Sequence, residues 1–178
     1  MTDDHSRPGR LPPSPWLLRH LELLPAQGSA IDVACGSGRH TRLFLEKGWR
    51  VVAMDRDLSG IADLLSPALI AVATDLEDGT PWPFTGMRFD AVVVTNYLFR
   101  PLLPTVVAAV APGGVLVYET FAEGNERFGR PSNPDFLLRP GELLNAVAAR
   151  LRVLAYEDLT VDQPKPAAVQ RIVATADA

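Results

Sequence analysis

Apolar runs, glycine turns and helical segments alternate along this chain, most clearly in "IDVACGSGRHTRLFLEKGWRVVAMDRD" (residues 31–57). There an apolar run leads into a glycine turn, a helical segment, a second apolar run and two acids. Short runs rich in Val and Ile, without strict alternation, are typical of parallel strands buried on both faces. The pattern therefore predicts a doubly wound α/β sheet, which binds ligands at the carboxyl ends of its strands.

The same pattern predicts where the elements lie. Strands are expected at 30–34, 50–54, 69–73, 91–95 and 114–119, and helices at 38–47, 58–65, 101–110 and 141–150. Residues 152–161 and 167–176 predict a closing antiparallel pair. The stretch before the fourth strand is rich in Pro and Gly and predicts a loop.

Composition indicates one globular domain of 178 residues with a net charge of −4. No basic run is present, so tight binding to nucleic acid or an anionic membrane is not expected. The absence of a signal segment and of a spanning helix favours a cytoplasmic protein. We expect residues 1–14 to be flexible, residues 15–28 to form an N-terminal helix, and residues 29–178 to form the core of the domain.

The glycine turn suits two classes of nucleotide. A dinucleotide-binding fingerprint has a third small residue where this chain has Thr41. Asp32, inside the first strand, would repel a pyrophosphate but favours a cation. S-adenosylmethionine carries an ammonium and a sulfonium and no phosphate. These features disfavour a nicotinamide-dependent oxidoreductase, which stays an alternative on the same kind of sheet.

Two further acids follow the next strands. Asp55 ends the second strand and can accept hydrogen bonds from both hydroxyls of a ribose, which suits either nucleotide. Asp75 follows the third strand and can accept from the amine of an adenine, with the backbone of Leu76 beside it. For each of these acids the alternative role is helix capping or turn formation.

With these residues, the chain resembles the class I S-adenosylmethionine-dependent methyltransferases, most strongly in "DVACGSG" and "VVAMD", and in particular their small tellurite-resistance-type branch. The resemblance runs from about Ala30 to the C-terminus. It implies a Rossmann-like, seven-stranded, mostly parallel sheet with an antiparallel last strand, in a three-layer αβα arrangement.

The resemblance also implies which residues hold the cofactor S-adenosylmethionine. The methionine end lies at Asp32 and the glycine turn, the ribose at Asp55, and the adenine at Asp75 and Leu76. The full set of implied cofactor-binding residues is Asp32, Ala34, Cys35, Gly36, Ser37, Gly38, Asp55, Arg56, Asp75, Leu76 and Asn96. We interpret Cys35 as a packing residue, and we expect His40 on the helix surface or behind the site. No metal-ligand cluster is present.

The acceptor side is indicated by "TNYLFRP" after the fourth strand. Enzymes that methylate adenine amines or glutamine amides carry two prolines here, and this chain does not, which disfavours those substrates. Tyr97 is a candidate to line the methyl-transfer cleft, or else to pack under the next helix. Tyr97 and Glu119 are the candidate catalytic residues, and the candidates for a general base are Glu119 and Tyr118, at the end of the fifth strand.

The loop "ETFAEGNERFGRPSNPDFLLRPGE" follows the fifth strand. Its Arg127 and Arg130 are candidates to bind an anionic acceptor, since guanidinium groups pair with carboxylates and oxyanions. The alternative is a surface loop whose arginines pair with its own acids.

Together these features predict a methyltransferase that acts on a small molecule by in-line displacement, as a monomer or a homodimer. A small acceptor is expected because little of the chain lies beyond the minimal fold. A module that binds the cofactor without catalysis is a further alternative.

Overall fold

Seven strands form one sheet in the computed structural model, which describes residues 11–177. Their bounds are Ser29–Val33 (β1), Arg50–Asp55 (β2), Leu69–Ala73 (β3), Phe89–Thr95 (β4), Val110–Phe121 (β5), Arg152–Val161 (β6) and Ala167–Thr175 (β7). The strand order is β3-β2-β1-β4-β5-β7-β6, and β7 runs antiparallel to both of its neighbours. The predicted fold class, with its antiparallel last strand, is confirmed.

Helices cover both faces of the sheet. They are Pro15–Arg19 (α1), Arg39–Glu46 (α2), Leu103–Ala108 (α3) and Glu142–Val147 (α4). Trp16 of α1 and Phe44 of α2 belong to one buried cluster, and Val106 of α3 and Leu143 of α4 belong to another. Alternate side chains of a strand point to opposite faces, so each strand contributes to both clusters. The result is the predicted three-layer arrangement.

Every predicted helix is shorter in the structure, and two of them differ markedly. In place of a helix over 58–65 there is one 3₁₀ turn, Leu58–Ile61, because Gly60 lies against the glycine turn that follows β1. The N-terminal helix ends at Arg19, where the ring of His20 donates from Nδ1 to the Trp16 carbonyl at 2.9 Å. A separate 3₁₀ turn, Leu21–Leu23, follows it.

The segment predicted to be flexible, 1–14, lies mostly outside the described residues. Of its last four residues, Ser14 is buried and its hydroxyl caps α1 by accepting from the amides of Trp16 and Leu17. Residues 74–88 contain no helix, as predicted. Among residues 11–177 no helix has the length and apolar character needed to cross a membrane.

Candidate active site at the carboxyl ends of the strands

A cleft of about 410 Å³ opens where β1, β2, β3 and β4 end. We call it the strand-end cleft. It is lined by Ala34, Asp55, Arg56, Thr74, Asp75, Leu76, Glu77, Asn96, Tyr97 and Phe136. Seven of the residues implied for the site by sequence therefore meet at one opening: Ala34, Asp55, Arg56, Asp75, Leu76, Asn96 and Tyr97.

Asp55 is fixed by the glycine turn. Its Oδ2 accepts from the Gly36 amide at 2.8 Å, and its Oδ1 accepts from the Asp57 amide at 3.0 Å. Each oxygen has capacity for a further donor. The end of β2 thus presents an oriented carboxylate to the cleft.

The glycine turn packs tightly on the Leu58–Ile61 turn. Gly38 has φ +69°, in the left-handed region, and a Cβ there would clash with the side chain of Ile61. A Cβ on Gly60 would lie 2.8 Å from Ser37 Cα and would clash with the Gly36 carbonyl oxygen. Glycine at these positions lets the two turns come together without a side chain between them.

Asp75 and Leu76 form the β3 side of the strand-end cleft. Asp75 Oδ1 accepts from the Glu77 amide at 2.9 Å in a local turn, and the carboxylate is exposed to solvent. Its other oxygen is therefore available to a ligand.

Two lining residues have strained backbones. Ala34 and Asn96 both have φ +55°, and they are the non-glycine residues with positive φ among those described. A left-handed conformation costs about 1–2 kcal/mol for residues with a Cβ. Such strain concentrates at functional sites, and here it falls where β1 and β4 enter the cleft.

Asp32 does not line the strand-end cleft. The residue is 1% exposed, and its Oδ2 accepts from the Thr41 amide at 2.9 Å and from the Thr41 hydroxyl at 2.7 Å. The carboxylate thus lies beneath the glycine turn, where it holds the first turn of α2 against β1. Cys35, Gly36, Ser37 and Gly38 are also outside the lining.

His40 lies behind Asp32. Its Nδ1 is 3.8 Å from Asp32 Oδ1, and its Nε2 accepts from the Ser14 amide at 3.1 Å. Because an amide can only donate, Nε2 carries no proton. His40 is 1% exposed, so the expectation of a surface position was wrong and the expectation of a position behind the site was right.

Cys35 is a packed thiol. Burial, with the charges of Asp32 and Asp55, raises its pKa to about 12. Because the thiolate is the nucleophilic form, this side chain is inert at neutral pH. Among residues 11–177 no group of three His, Cys, Asp or Glu side chains is placed to hold a metal ion.

Tyr97 lines the cleft with a buried hydroxyl that lies beside the carboxylate of Glu77. Burial, followed by the carboxylates of Glu77, Asp75 and Asp55, raises its pKa. Tyr97 therefore stays protonated at neutral pH and can donate a hydrogen bond, but it is a poor base. Tyr118 is no substitute, because its buried hydroxyl donates to the Tyr97 carbonyl at 2.9 Å.

Arg127 and Arg130, the predicted acceptor-binding arginines, do not line the cleft. Both are exposed; Arg127 donates to the Gly124 carbonyl at 3.1 Å and lies over the ring of Phe128. The part of this loop that does line the cleft is Phe136.

An arginine outside the loop holds Phe136 in place. Arg100 pairs with both oxygens of Glu142, at 2.7 and 3.0 Å, and donates to the carbonyls of Asp135 and Leu137, each at 2.7 Å. Both residues flanking Phe136 are thus fixed by one guanidinium. Sequence reasoning missed this contact, because Arg100 and Glu142 are 42 residues apart.

The comparison with family models assigns the domain. Residues 30–114, from β1 into β5, match the family model described as a methyltransferase domain. Over these residues the chain is similar to the methyltransferase domain that the model describes, as the sequence resemblance predicts. The match favours the predicted cofactor, S-adenosylmethionine, over the nicotinamide alternative. A search of curated proteins gives no match to the chain.

Solved structures similar to this chain include three that illustrate its fold. TehB from Haemophilus influenzae superposes with a TM-score of 0.71 and 14% identity, over 90% of this chain and 61% of TehB. The N-methyltransferase NodS from Bradyrhizobium japonicum WM9 has a TM-score of 0.67 and 16% identity, over 90% of this chain and 94% of NodS. The 1,6-didemethyltoxoflavin-N1-methyltransferase from Burkholderia thailandensis has a TM-score of 0.62 and 19% identity, over 91% of this chain and 75% of that enzyme.

These TM-scores, at identities of 14–19%, show a shared fold. The chain spans 61% of the length of TehB, so TehB has substantial structure with no counterpart here. The predicted likeness to the tellurite-resistance branch thus rests on fold alone.

Proposed function

We propose that this methyltransferase domain transfers the methyl group of S-adenosylmethionine to a small-molecule acceptor by in-line displacement. The observation that carries the proposal is that Asp55, Asp75 and Tyr97 line one cleft at the carboxyl ends of neighbouring strands. Two carboxylates there suit a ribose and an adenine, and a phenol donor lies on the β4 side.

The donor set of the cleft fits the nucleoside of this cofactor. Asp55 has one amide bond on each oxygen and is oriented to accept both ribose hydroxyls. Asp75, with Leu76 beside it, is placed to accept from the adenine amine. In this assignment Ala34 and Asn96 contact the cofactor between the ribose and the methyl group.

Asp32 has an indirect role in this proposal. Thr41 uses one oxygen of its carboxylate, and the carboxylate supports the glycine turn from below. Its negative charge still favours a cation at the methionine end, because it lies within the first strand beneath that end.

Tyr97 orients the acceptor in the proposed reaction. The bound cofactor supplies a methyl group that its sulfonium already activates. The chain's own task is therefore alignment and exclusion of water, which can supply most of the acceleration. A protonated Tyr97 donates a hydrogen bond to the acceptor, which favours acceptors that need no base, such as thiolates or oxyanions. Glu119 stays the candidate base for acceptors that must lose a proton.

One solved structure of the same fold supports a small acceptor. The strand-end cleft itself, about 410 Å³, lies within the usual range of small-molecule sites, roughly 300–1,000 Å³, and suits the cofactor in this proposal. The Burkholderia thailandensis enzyme of the same fold was solved with bound 1,6-didemethyltoxoflavin and S-adenosylhomocysteine.

A role for Arg127 and Arg130 in binding an anionic acceptor stays a prediction, and their exposed positions give it no support. Unchanged acceptor kinetics in Arg127→Ala and Arg130→Ala would contradict that role.

Calorimetric titration tests the cofactor assignment. We expect micromolar binding of S-adenosylmethionine and S-adenosylhomocysteine, and no binding of NAD. Asp55→Ala should abolish that binding, whereas Asp162→Ala, an exposed acid between β6 and β7, should leave it unchanged. Binding of NAD instead would contradict the assignment.

A second assay tests the reaction. The protein is incubated with S-adenosylmethionine and a panel of small thiols, phenols, amines and oxyanions, and S-adenosylhomocysteine is measured. We expect turnover with a small acceptor. We also expect kcat/KM for that acceptor to be lower in Tyr97→Phe than in the wild type. Turnover confined to protein or nucleic-acid substrates would contradict a small acceptor.

A further inference from the structure

Strand β3 is a free edge of the sheet and is exposed along most of its length. It pairs with β2 on one side, and no strand of residues 11–177 pairs with its other side. None of the α-helices in that part of the chain lies in the connection from β2 to β3 or from β3 to β4. A doubly wound sheet normally covers its parallel strands with such helices. Ile70, Ala71 and Ala73 are consequently exposed, Ile70 at 58%.

This edge has none of the features that discourage pairing. Natural edge strands are usually protected by charged side chains, by proline or by a bulge. The sequence of β3 is LIAVA, without a charge or a proline, and its register with β2 is continuous. Leu65, in the segment that leads into β3, is 95% exposed. An apolar and unprotected edge of this kind is a template for another strand.

The backbone groups on the free edge follow from the bonds between β3 and β2. The Ala68 carbonyl accepts from β2 at 2.8 Å, and the Thr74 amide donates to β2 at 3.0 Å. Successive residues of a strand direct their amide and carbonyl to alternate sides, so the even-numbered residues of β3 face β2. Ala71 and Ala73 therefore direct both groups away from β2, toward any strand that would pair with the edge.

The opposite edge of the sheet, β6, is protected. Its residues Arg152, Glu157 and Asp158 carry charges. Its register with β7 is also irregular between Val153 and Ala155. A head-to-tail contact of β3 with β6 would extend into an open filament, whereas a contact of β3 with itself closes at two copies. The difference between the two edges thus favours the closed contact.

We propose that β3 pairs with the β3 of a second copy of this chain, antiparallel and about a twofold axis at Ala71. Because Ala71 directs its amide and carbonyl outward, the two copies of this residue can exchange both hydrogen bonds. Leu69 then lies opposite Ala73, and Ile70 lies opposite Val72. Every pair across the axis is therefore apolar, and no charge is brought out of water.

The dimer goes beyond the proposed methyl transfer, and its test needs no cofactor. It also bears on the strand-end cleft, because Ala73 leads directly into Thr74 and Asp75, which line that cleft. Pairing at the edge would hold the β3 side of the cleft from outside.

Sedimentation equilibrium of the purified chain, from low to hundreds of micromolar, tests the proposal. One short strand from each copy makes a small interface, so we expect a reversible dimer with a micromolar Kd. Ala71→Lys and Ala71→Glu each place two like charges opposite one another at the axis, and either should raise the Kd of the dimer at least about tenfold. Thr160→Lys, at an exposed position of β6, is the matched control and should leave the Kd unchanged.

An equal mixture of the Lys and Glu variants distinguishes this contact from others. Opposite charges face each other at Ala71 in the mixed dimer, so association should return close to that of the wild type. Ala71 is exposed in the single chain, and circular dichroism should show that both variants are folded. A wild-type chain that stays monomeric throughout would overturn the proposal, and so would single variants that dimerise like the wild type. A mixture that does not associate would also overturn it, since the edge would then pair in another register or with a strand of another protein.

Discussion

Thr41 donates two hydrogen bonds to one oxygen of Asp32, from its amide at 2.9 Å and from its hydroxyl at 2.7 Å. Both residues are buried, so the carboxylate depends on these donors in place of water. The bond joins β1 to α2 directly beneath the glycine turn. Thr41 is therefore the residue that keeps this carboxylate under the turn.

Replacing Thr41 by Val should destabilise the protein. The hydroxyl donor to a buried carboxylate is lost while the shape is kept, and we expect the free energy of unfolding to fall by about 1.5–3 kcal/mol. Thr41→Ser keeps the hydroxyl and should lose only about 0.8 kcal/mol for one buried methyl group. Urea unfolding of the three proteins measures the difference; equal losses in the Val and Ser variants would contradict the role of the hydroxyl.

Gly60→Ala should disturb the glycine turn. A Cβ there meets the Gly36 carbonyl and Ser37 Cα, both backbone atoms that cannot rotate away. Overpacking of this kind costs about 1–3 kcal/mol, and we expect a lower melting temperature together with weaker binding of S-adenosylhomocysteine. Ser59→Ala, at the exposed neighbouring position, is the control and should change neither quantity. Normal binding in Gly60→Ala would show that the turn does not depend on this contact.

Phe136→Ala should weaken cofactor binding with little effect on stability. The side chain lines the strand-end cleft and is 45% exposed, so it adds little to the core. Stacking of an aromatic ring on a base contributes about 1–3 kcal/mol, which sets the expected loss in affinity for S-adenosylhomocysteine. Phe128, 42% exposed in the same loop and outside the cleft lining, provides the matched variant Phe128→Ala. Similar affinities in the two variants would exclude contact between Phe136 and the cofactor.

The Arg100–Glu142 pair should make stability depend on acid pH. Burial alone would raise the pKa of Glu142, but hydrogen bonds from Arg100 and from the Arg139 amide outweigh it and hold the pKa below its ordinary value of 4.5. A carboxylate whose pKa is lower in the folded than in the unfolded protein stabilises the fold at pH values above its unfolded pKa. That stabilisation is lost as the pH falls through the folded pKa.

The variant Glu142→Gln tests that dependence. The difference in unfolding free energy between wild type and variant should be constant near neutral pH and should shrink as pH falls below 4.5. Urea unfolding at a series of pH values measures it. A difference that stays the same down to pH values well below 4.5 would mean that the Glu142 carboxylate is not the source of the effect.

The sheet and the strand-end acids were predictable from sequence because their signals are local. An apolar run predicts a buried strand. An acid that follows the run lies at the carboxyl edge of the sheet, because parallel strands all end at that edge. Asp55 and Asp75 therefore reach the cleft where they were expected.

The differences from expectation concern side chains whose direction depends on distant residues. Asp32 lies beneath the glycine turn and outside the cleft lining, because it bonds to Thr41 of α2, a partner that spacing alone does not indicate. Arg127 and Arg130 also lie outside the lining, and the path of a loop rich in Gly and Pro has no periodic signal that would predict their position. The helix over 58–65 was predicted without knowing that Gly60 would lie against another turn.

Sequence reasoning missed Arg100, because its contacts span long separations along the chain. Arg100 reaches Asp135, Leu137 and Glu142.

The contact of Gly60 with the glycine turn limits how this domain can be recombined with its relatives. Arg42 donates to the Gly60 carbonyl at 3.0 Å and pairs with Asp63, so residues 36–63 are joined at both ends. A chimera that exchanges the glycine turn without the turn at Leu58–Ile61 would bring mismatched surfaces together. Crossover points in such chimeras belong before β1 or after Asp63, so that the whole block is inherited from one parent.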